Sequence, residues 1–158
     1  MYLLPKPKTI KEQDGQMLLC HSTHIVMTKE VAETEMHAAK RLQEAIRQET
    51  GLILPFSVGE VREGDLSLGI AKTLPEQTYE ITIDEKGGQI SGGDGAGVLY
   101  GVETFCQIVQ QCGGILPCVQ IQDAPDMPNR GYYFDQTRGR VLKLEELKKI
   151  ADRSEEHT

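Results

Sequence analysis

Apolar residues return at Val31, Ala38, Leu42, Ala45 and Ile46, the spacing of one helical face. Glu35, Lys40, Glu44 and Arg47 fall mostly on the opposite side. Thr28 precedes this run as an N-cap whose side-chain oxygen can accept a first-turn N–H. Glu30 and Glu33 stand near the positive end, and Gly51 supplies the left-handed residue that stops the helix. The pattern therefore predicts one helix between Thr28 and Gly51.

Beyond Gly51 the period shortens. Residues 52–58, 66–71 and 79–83 read as strands separated by turns containing Gly, Asp and Pro. The strict alternation of Tyr79-Glu80-Ile81-Thr82-Ile83 predicts one buried and one wet sheet face. Glu85-Lys86-Gly87-Gly88 closes a hairpin onto residues 89–92. A second helix, about 95–111, carries a stripe of Val98, Leu99, Val102, Phe105, Cys106 and Val109, with Glu103, Gln107 and Gln110 facing out. Gly113-Gly114 stops it, and residues 115–121 return as a strand. Upstream, residues 9–27 read as short strands around an Asp14-Gly15 turn. The expected fold is α/β of the α+β type, a mixed sheet with two helices packed on it.

Pro125 and Pro128 mark a linker, after which the pattern changes. Residues 131–134 read as a strand. Residues 143–153 read as a helix with Leu144, Leu147, Ile150 and Ala151 inward and Glu145 and Lys149 one turn apart. One strand and one helix cannot bury themselves. The expected organisation is a domain over 1–124, then a linker and the first βα unit of a larger domain over 125–158. The unit's uncovered apolar face predicts weak protection there, or an oligomer contact through the stub.

The 158 residues, 39% hydrophobic, suffice for one core and part of another. Seventeen basic against 24 acidic residues give a net charge of −7 without a basic run, so a nucleic-acid partner has no support. Prolines and lysines interrupt the first eight residues where a signal peptide needs an apolar stretch, and no run reaches membrane-spanning length. A cytoplasmic location and no membrane partner are expected. Cys20, Cys106, Cys112 and Cys118 form no C-x-x-C pair and read as free thiols; nothing requires a Cys112–Cys118 disulfide.

Candidate chemistry is sparse. Gly92-Gly93-Asp94-Gly95-Ala96-Gly97 sits at a strand-to-helix junction, where backbone N–H groups can hold an anion. It matches neither the dinucleotide fingerprint nor a P-loop, so close helix–sheet packing is the expectation. Cys20, His21 and His24 on a strand would not converge on a metal. His37 and His157 have no nucleophile beside them, and Glu155-Glu156 is a solvated pair. No cofactor, metal or catalytic residue is expected.

Gly97-Val98-Leu99-Tyr100-Gly101-Val102-Glu103-Thr104-Phe105-Cys106-Gln107 resembles the second helix of the accessory domain of glycoside hydrolase family 20, with its Gly, Tyr-Gly, Thr and Gln. The similarity continues through Asp123-Ala124-Pro125 into Arg130-Gly131-Tyr132-Tyr133-Phe134-Asp135-Gln136-Thr137-Arg138, which looks like the family's Asp-x-Pro linker and the Arg-Gly-x-x-x-Asp-x-x-Arg of its first barrel strand. Residues 79–92 fit the hairpin before the helix. Upstream, only the order of elements is similar.

The resemblance implies an accessory domain packed on a (β/α)₈ barrel that removes terminal β-N-acetylhexosamine units. In that family the sugar's own acetamido oxygen attacks the anomeric carbon, with an Asp-Glu pair on a later barrel strand. These 158 residues are expected to stop before that strand, leaving a truncated barrel and an inactive chain. N-acetylhexosamine-containing glycans would then be partners through the missing barrel. The resemblance assigns Arg130 to binding the terminal sugar's hydroxyls, which suits a forked guanidinium. Asp135, nearer the strand's C-terminal end, is a second substrate-binding candidate. Gly139-Arg140-Val141 departs from the aromatic or His residues that often follow the second Arg in the family. Alternative readings are a stand-alone carbohydrate-binding or interaction module, or an accessory domain like those of family 84 or 67 hydrolases.

Overall fold

The alternating stretches come together in one sheet. The computed structural model describes residues 1–129, 131 and 142–155. The chain divides into two compact units, Met1–Asp126 and Met127–Thr158.

In the first unit the strands are β1 (Thr9–Leu18), β2 (Ile25–Met27), β3 (Phe56–Val58), β4 (Leu66–Ile70), β5 (Tyr79–Asp84), β6 (Gly87–Gly92) and β7 (Ile115–Asp123). They lie in the order β1-β7-β5-β6-β4-β2-β3. The half from β1 to β6 is antiparallel, and the half from β6 through β4 and β2 to β3 is parallel. Helices α1 (Lys29–Thr34) and α2 (Met36–Thr50) connect β2 to β3, and α3 (Gly95–Cys112) connects β6 to β7. Parallel neighbours need such crossovers, whereas β5 and β6 need only a tight turn.

Register explains why the helices cover one side. Met27, Leu68, Ile90, Ile81 and Ile121 are successive cross-strand partners, each at most 2% exposed. One residue along, the partners are Val26, Ser67, Gln89, Thr82, Gln120 and Lys11. The pleat sends these to the opposite face, which is polar apart from Val26. The apolar face takes α3, whose Phe105 packs against Gly88. Ala38, Ala39, Leu42, Ala45 and Ile46 of α2 are also buried. Arg41 Nε joins α2 to α3 by donating to Glu103 Oε1 at 2.9 Å.

Three expectations change. Residues 9–18 form one strand, and Asp14-Gly15 is a bulge where the pairing with β7 shifts between Glu12 and Gln16. Gly15 adopts φ 107°, as a bulge requires of a glycine. The helix expected between Thr28 and Gly51 breaks at Glu35 (φ −121°, ψ 29°), although Thr28 and Gly51 cap the two ends as expected. Of residues 52–58 only Phe56–Val58 pair as a strand.

In the second unit, α4 (Leu144–Glu155) forms close to the expected span. Leu144, expected to face inward, is 67% exposed, whereas Leu147 and Ile150 of the same stripe are half-buried. The strand expected over 131–134 lies mostly outside the described residues. Among the described residues no helix is long and apolar enough to cross a membrane.

Candidate functional site

The glycine cluster leads into the N-terminus of α3, the place where an anion would bind. The chain fills it with its own groups. Asp94 caps the helix, accepting from Gly97 N at 2.8 Å and from Gln77 N at 3.0 Å. A Cβ on Gly93 would overlap the Pro75 carbonyl oxygen, and one on Gly97 the Thr78 carbonyl oxygen. One on Gly95 would overlap the Glu35 carboxylate, so the break at Glu35 brings a second acid to this helix end. Two carboxylates already complement the helix dipole here and would repel a phosphate. The packing expectation therefore holds, and each glycine is small because something sits against it.

Cys20, His21 and His24 lie in the turn between β1 and β2, not on a strand. Cys20 and His24 have local partners. Cys20 Sγ is 3.0 Å from Ser22 Oγ, and that bond lowers the thiol's pKa from its ordinary value. His24 Nδ1 donates to the Ser22 carbonyl at 2.9 Å. Buried Asp65 accepts from His24 N and Arg62 N, each at 2.9 Å, tying this turn to the loop before β4. Among the described residues, no three His, Cys, Asp or Glu side chains group as a metal site.

The motif residues of α3 meet at a different place. Gly101 leaves room for Ile90 and Tyr79, since its Cβ would stand 2.6 Å from Ile90 Cγ2 and 3.4 Å from Tyr79 Cβ. One turn on, Thr104 Oγ1 is 2.7 Å from the Tyr79 hydroxyl. The Tyr79 hydroxyl in turn donates to Asp123 Oδ2 at 3.3 Å. A phenol has one proton and a carboxylate only accepts, so Thr104 must donate to Tyr79. Asp123 Oδ1 accepts from the Lys8 backbone N–H at 3.2 Å. This node joins β5, α3, the end of β7 and the residue preceding β1. Burial pushes the Tyr79 hydroxyl's pKa well above its ordinary value, so at neutral pH it is a fixed donor. Lys8 Nζ also lies 3.0 Å from Asp126 Oδ1, an exposed pair of small energetic weight.

Arg130 and Asp135 lie outside the described residues. The hub that sequence reasoning missed is Tyr79, read there only as part of an alternating strand. A buried tyrosine needs a hydroxyl partner, and that was the available signal. The node contains no nucleophile paired with a base. Its chemistry is that of a joint, in which a chain of hydrogen bonds, buried at Tyr79 and Thr104, ties together β5, α3, the end of β7 and the residue before β1.

Residues 1–124 match the family model described as glycosyl hydrolase family 20, domain 2. A beta-hexosaminidase of Porphyromonas gingivalis is 29% identical over 162 residues, covering 95% of this chain and 20% of the relative. One from Vibrio furnissii is 29% identical over 150 residues, covering 94% of this chain and 23% of its own. The chain thus spans about a fifth of the length of these curated relatives. Among solved structures, a mutant Streptomyces plicatus beta-hexosaminidase in complex with product (GlcNAc) superposes with a TM-score of 0.72 at 23% identity. That match covers 96% of this chain and 31% of the other, and it supports the fold.

Proposed function

The chain belongs to glycosyl hydrolase family 20, whose domain 2 model its residues 1–124 match, and from that membership we propose that it is the N-terminal part of a β-N-acetylhexosaminidase. In this reading, residues 1–124 are the accessory domain, and 125–158 are the linker and opening βα unit of the catalytic barrel. The parent removes terminal β-linked N-acetylhexosamine units with retention, using the substrate's own acetamido group. The observation that carries the reading is the family match over 1–124. The names of the relatives support it: the curated ones are beta-hexosaminidases, and the Streptomyces plicatus structure holds GlcNAc as product.

Hydrolysis belongs to the barrel, so the 158 residues alone are inactive. The described residues supply a joint and no acid–base pair. A barrel of this kind takes roughly 250 residues. Arg130 binds hydroxyls of the terminal sugar through its forked donors, and Asp135 is a weaker candidate for the same pocket.

The test is hydrolysis of a chromogenic N-acetyl-β-glucosaminide by this chain and by a version extended through a full barrel. Activity confined to the extended protein is expected, with Arg130→Ala lowering its kcat/KM at least about tenfold, the loss of one charge-assisted contact. Activity in neither protein would overturn the hexosaminidase reading.

A further inference from the structure

The residues before β1 do not pair with the sheet; they lie on a helix. Gln111 Oε1 accepts from Tyr2 N at 2.8 Å, and Gln111 Nε2 donates back to the Tyr2 carbonyl. One turn away, Gln107 Oε1 accepts from Leu4 N at 2.9 Å, and Gln107 Nε2 donates to the Leu4 carbonyl at 2.9 Å. Each side-chain amide thus makes the paired bonds that a neighbouring strand residue would make. The spacings agree: two residues of extended chain advance roughly 6.5 Å, and four residues of helix advance about 6 Å. Gln111 Nε2 is also 3.1 Å from the Gln107 carbonyl, which steadies the amide that holds Tyr2.

Between the two clamped residues, Leu3 turns inward and is 5% exposed, a member of the core cluster. Tyr2 and Leu4 turn outward, 74% and 67% exposed. Recognition therefore uses the backbone at two alternate positions and one aliphatic side chain between them. That is the logic by which an extended peptide adds to a sheet edge, moved here onto a helix.

We infer that the outer face of α3 is a binding site for an extended peptide, and that the N-terminal segment of a second copy of this chain fits it as the chain's own does. Everything the site reads is carried by residues 2–4 of any copy. Downstream, Pro7 is buried and Lys8 N is held independently by Asp123, so the exposed segment between the two anchors is Pro5-Lys6. Pro5 and Pro7 have no N–H to give to a sheet or helix. The arm can leave and another can enter with the Tyr79–Thr104–Asp123 node intact. Exchange of an identical element replaces each contact with its equal. The tether gives the chain's own arm an effective concentration on the order of millimolar, so exchange emerges at comparable protein concentration or when the resident arm is disabled.

The experiment uses the full chain with Leu3→Asp, whose charge cannot enter the core, and a fluorescent peptide of residues 1–8 followed by anisotropy. Saturable binding is expected, weakened at least tenfold by adding Q107L and Q111L, and not competed by a peptide carrying Leu3→Asp. No saturable binding by a folded Leu3→Asp chain would overturn the proposal, as would binding indifferent to the two glutamines. If Leu3→Asp does not fold, the wild-type chain decides by light scattering at about millimolar concentration. A dimer fraction that rises with concentration and disappears in Q107L/Q111L supports exchange; a wild-type chain that stays monomeric overturns it.

Discussion

Tyr79→Phe deletes one oxygen from the node that joins β5, α3 and the end of β7. Tyr79 is 4% and Thr104 8% exposed, so water cannot replace what is lost at Thr104, while half-buried Asp123 keeps access to water. The phenylalanine leaves the Thr104 hydroxyl without its 2.7 Å acceptor and Asp123 without its 3.3 Å donor. Stranding buried polar groups costs about 1–3 kcal/mol. Thr104→Val alone is milder, about 1 kcal/mol, because Tyr79 keeps its bond to Asp123. The double variant replaces both partners by apolar groups of the same shape, which removes the unsatisfied threonine. The two single effects should therefore exceed the double by at least about 0.5 kcal/mol.

Urea unfolding of the four proteins, followed by circular dichroism and tyrosine fluorescence, measures this cycle. With m-values of about 1–3 kcal/mol/M, Tyr79→Phe should lower the midpoint by on the order of 1 M. Amide exchange at Lys8 should accelerate in Tyr79→Phe more than exchange in β4 or β2, since Asp123 holds that amide. Single effects that add to within about 0.3 kcal/mol would refute the reasoning. They would mean that the phenol and the threonine act as separate side chains with no shared bond.

Gly93→Ala should destabilise by about 3 kcal/mol or more, because its Cβ meets the Pro75 backbone carbonyl, which cannot yield as a side-chain end can. Gly59→Ala is the control: nothing lies within 4 Å, and only its φ of 118° opposes the change. Its cost should stay near 1–2 kcal/mol, the ordinary strain of a left-handed residue. Equal melting temperatures for the two would sink this account. Among the thiols, Cys20 should react first with an aromatic disulfide reagent at pH 8, since hydrogen bonds from Ser22 lower its pKa. Cys106, buried and pushed to about 12, should react only after denaturant is added, and so should Cys118, raised mainly by burial. Prompt labelling of Cys106 in the folded protein would contradict the packing of α3.

The elements with strong periodicity were legible before the structure. The stripe from Val98 to Val109, the alternation of Tyr79 to Ile83 and the caps at Thr28 and Gly51 each follow from local chemistry, and each reappears. The break at Glu35 was not legible, because Glu35 and Met36 are good helix formers and Thr34 alone disfavours helix only slightly. It becomes intelligible once the Glu35 carboxylate is found at the start of α3, a tertiary reason. The Asp14-Gly15 bulge has the same character: the dipeptide signals a reversal locally, and pairing with β7 on both sides keeps the strand going. The parallel half of the sheet was also beyond local reading. Strand pairing across α1 and α2 is a long-range choice that no window of residues contains.

The motif that carried the family resemblance turns out to be architectural. Gly97 and Gly101 are small because Thr78 and the Ile90–Tyr79 pair lie against them. Thr104 and Asp123 meet through Tyr79, and Gln107 holds the backbone of Leu4. Every one of these roles concerns how the first unit closes on itself and where the chain leaves it; none presents a group to a sugar. A motif of joints is a sound marker of family, since each residue answers to several partners at once and cannot drift alone. The same argument makes it a poor guide to substrate. Residues 1–126 hold a frame, and the motif within them records how that frame is packed.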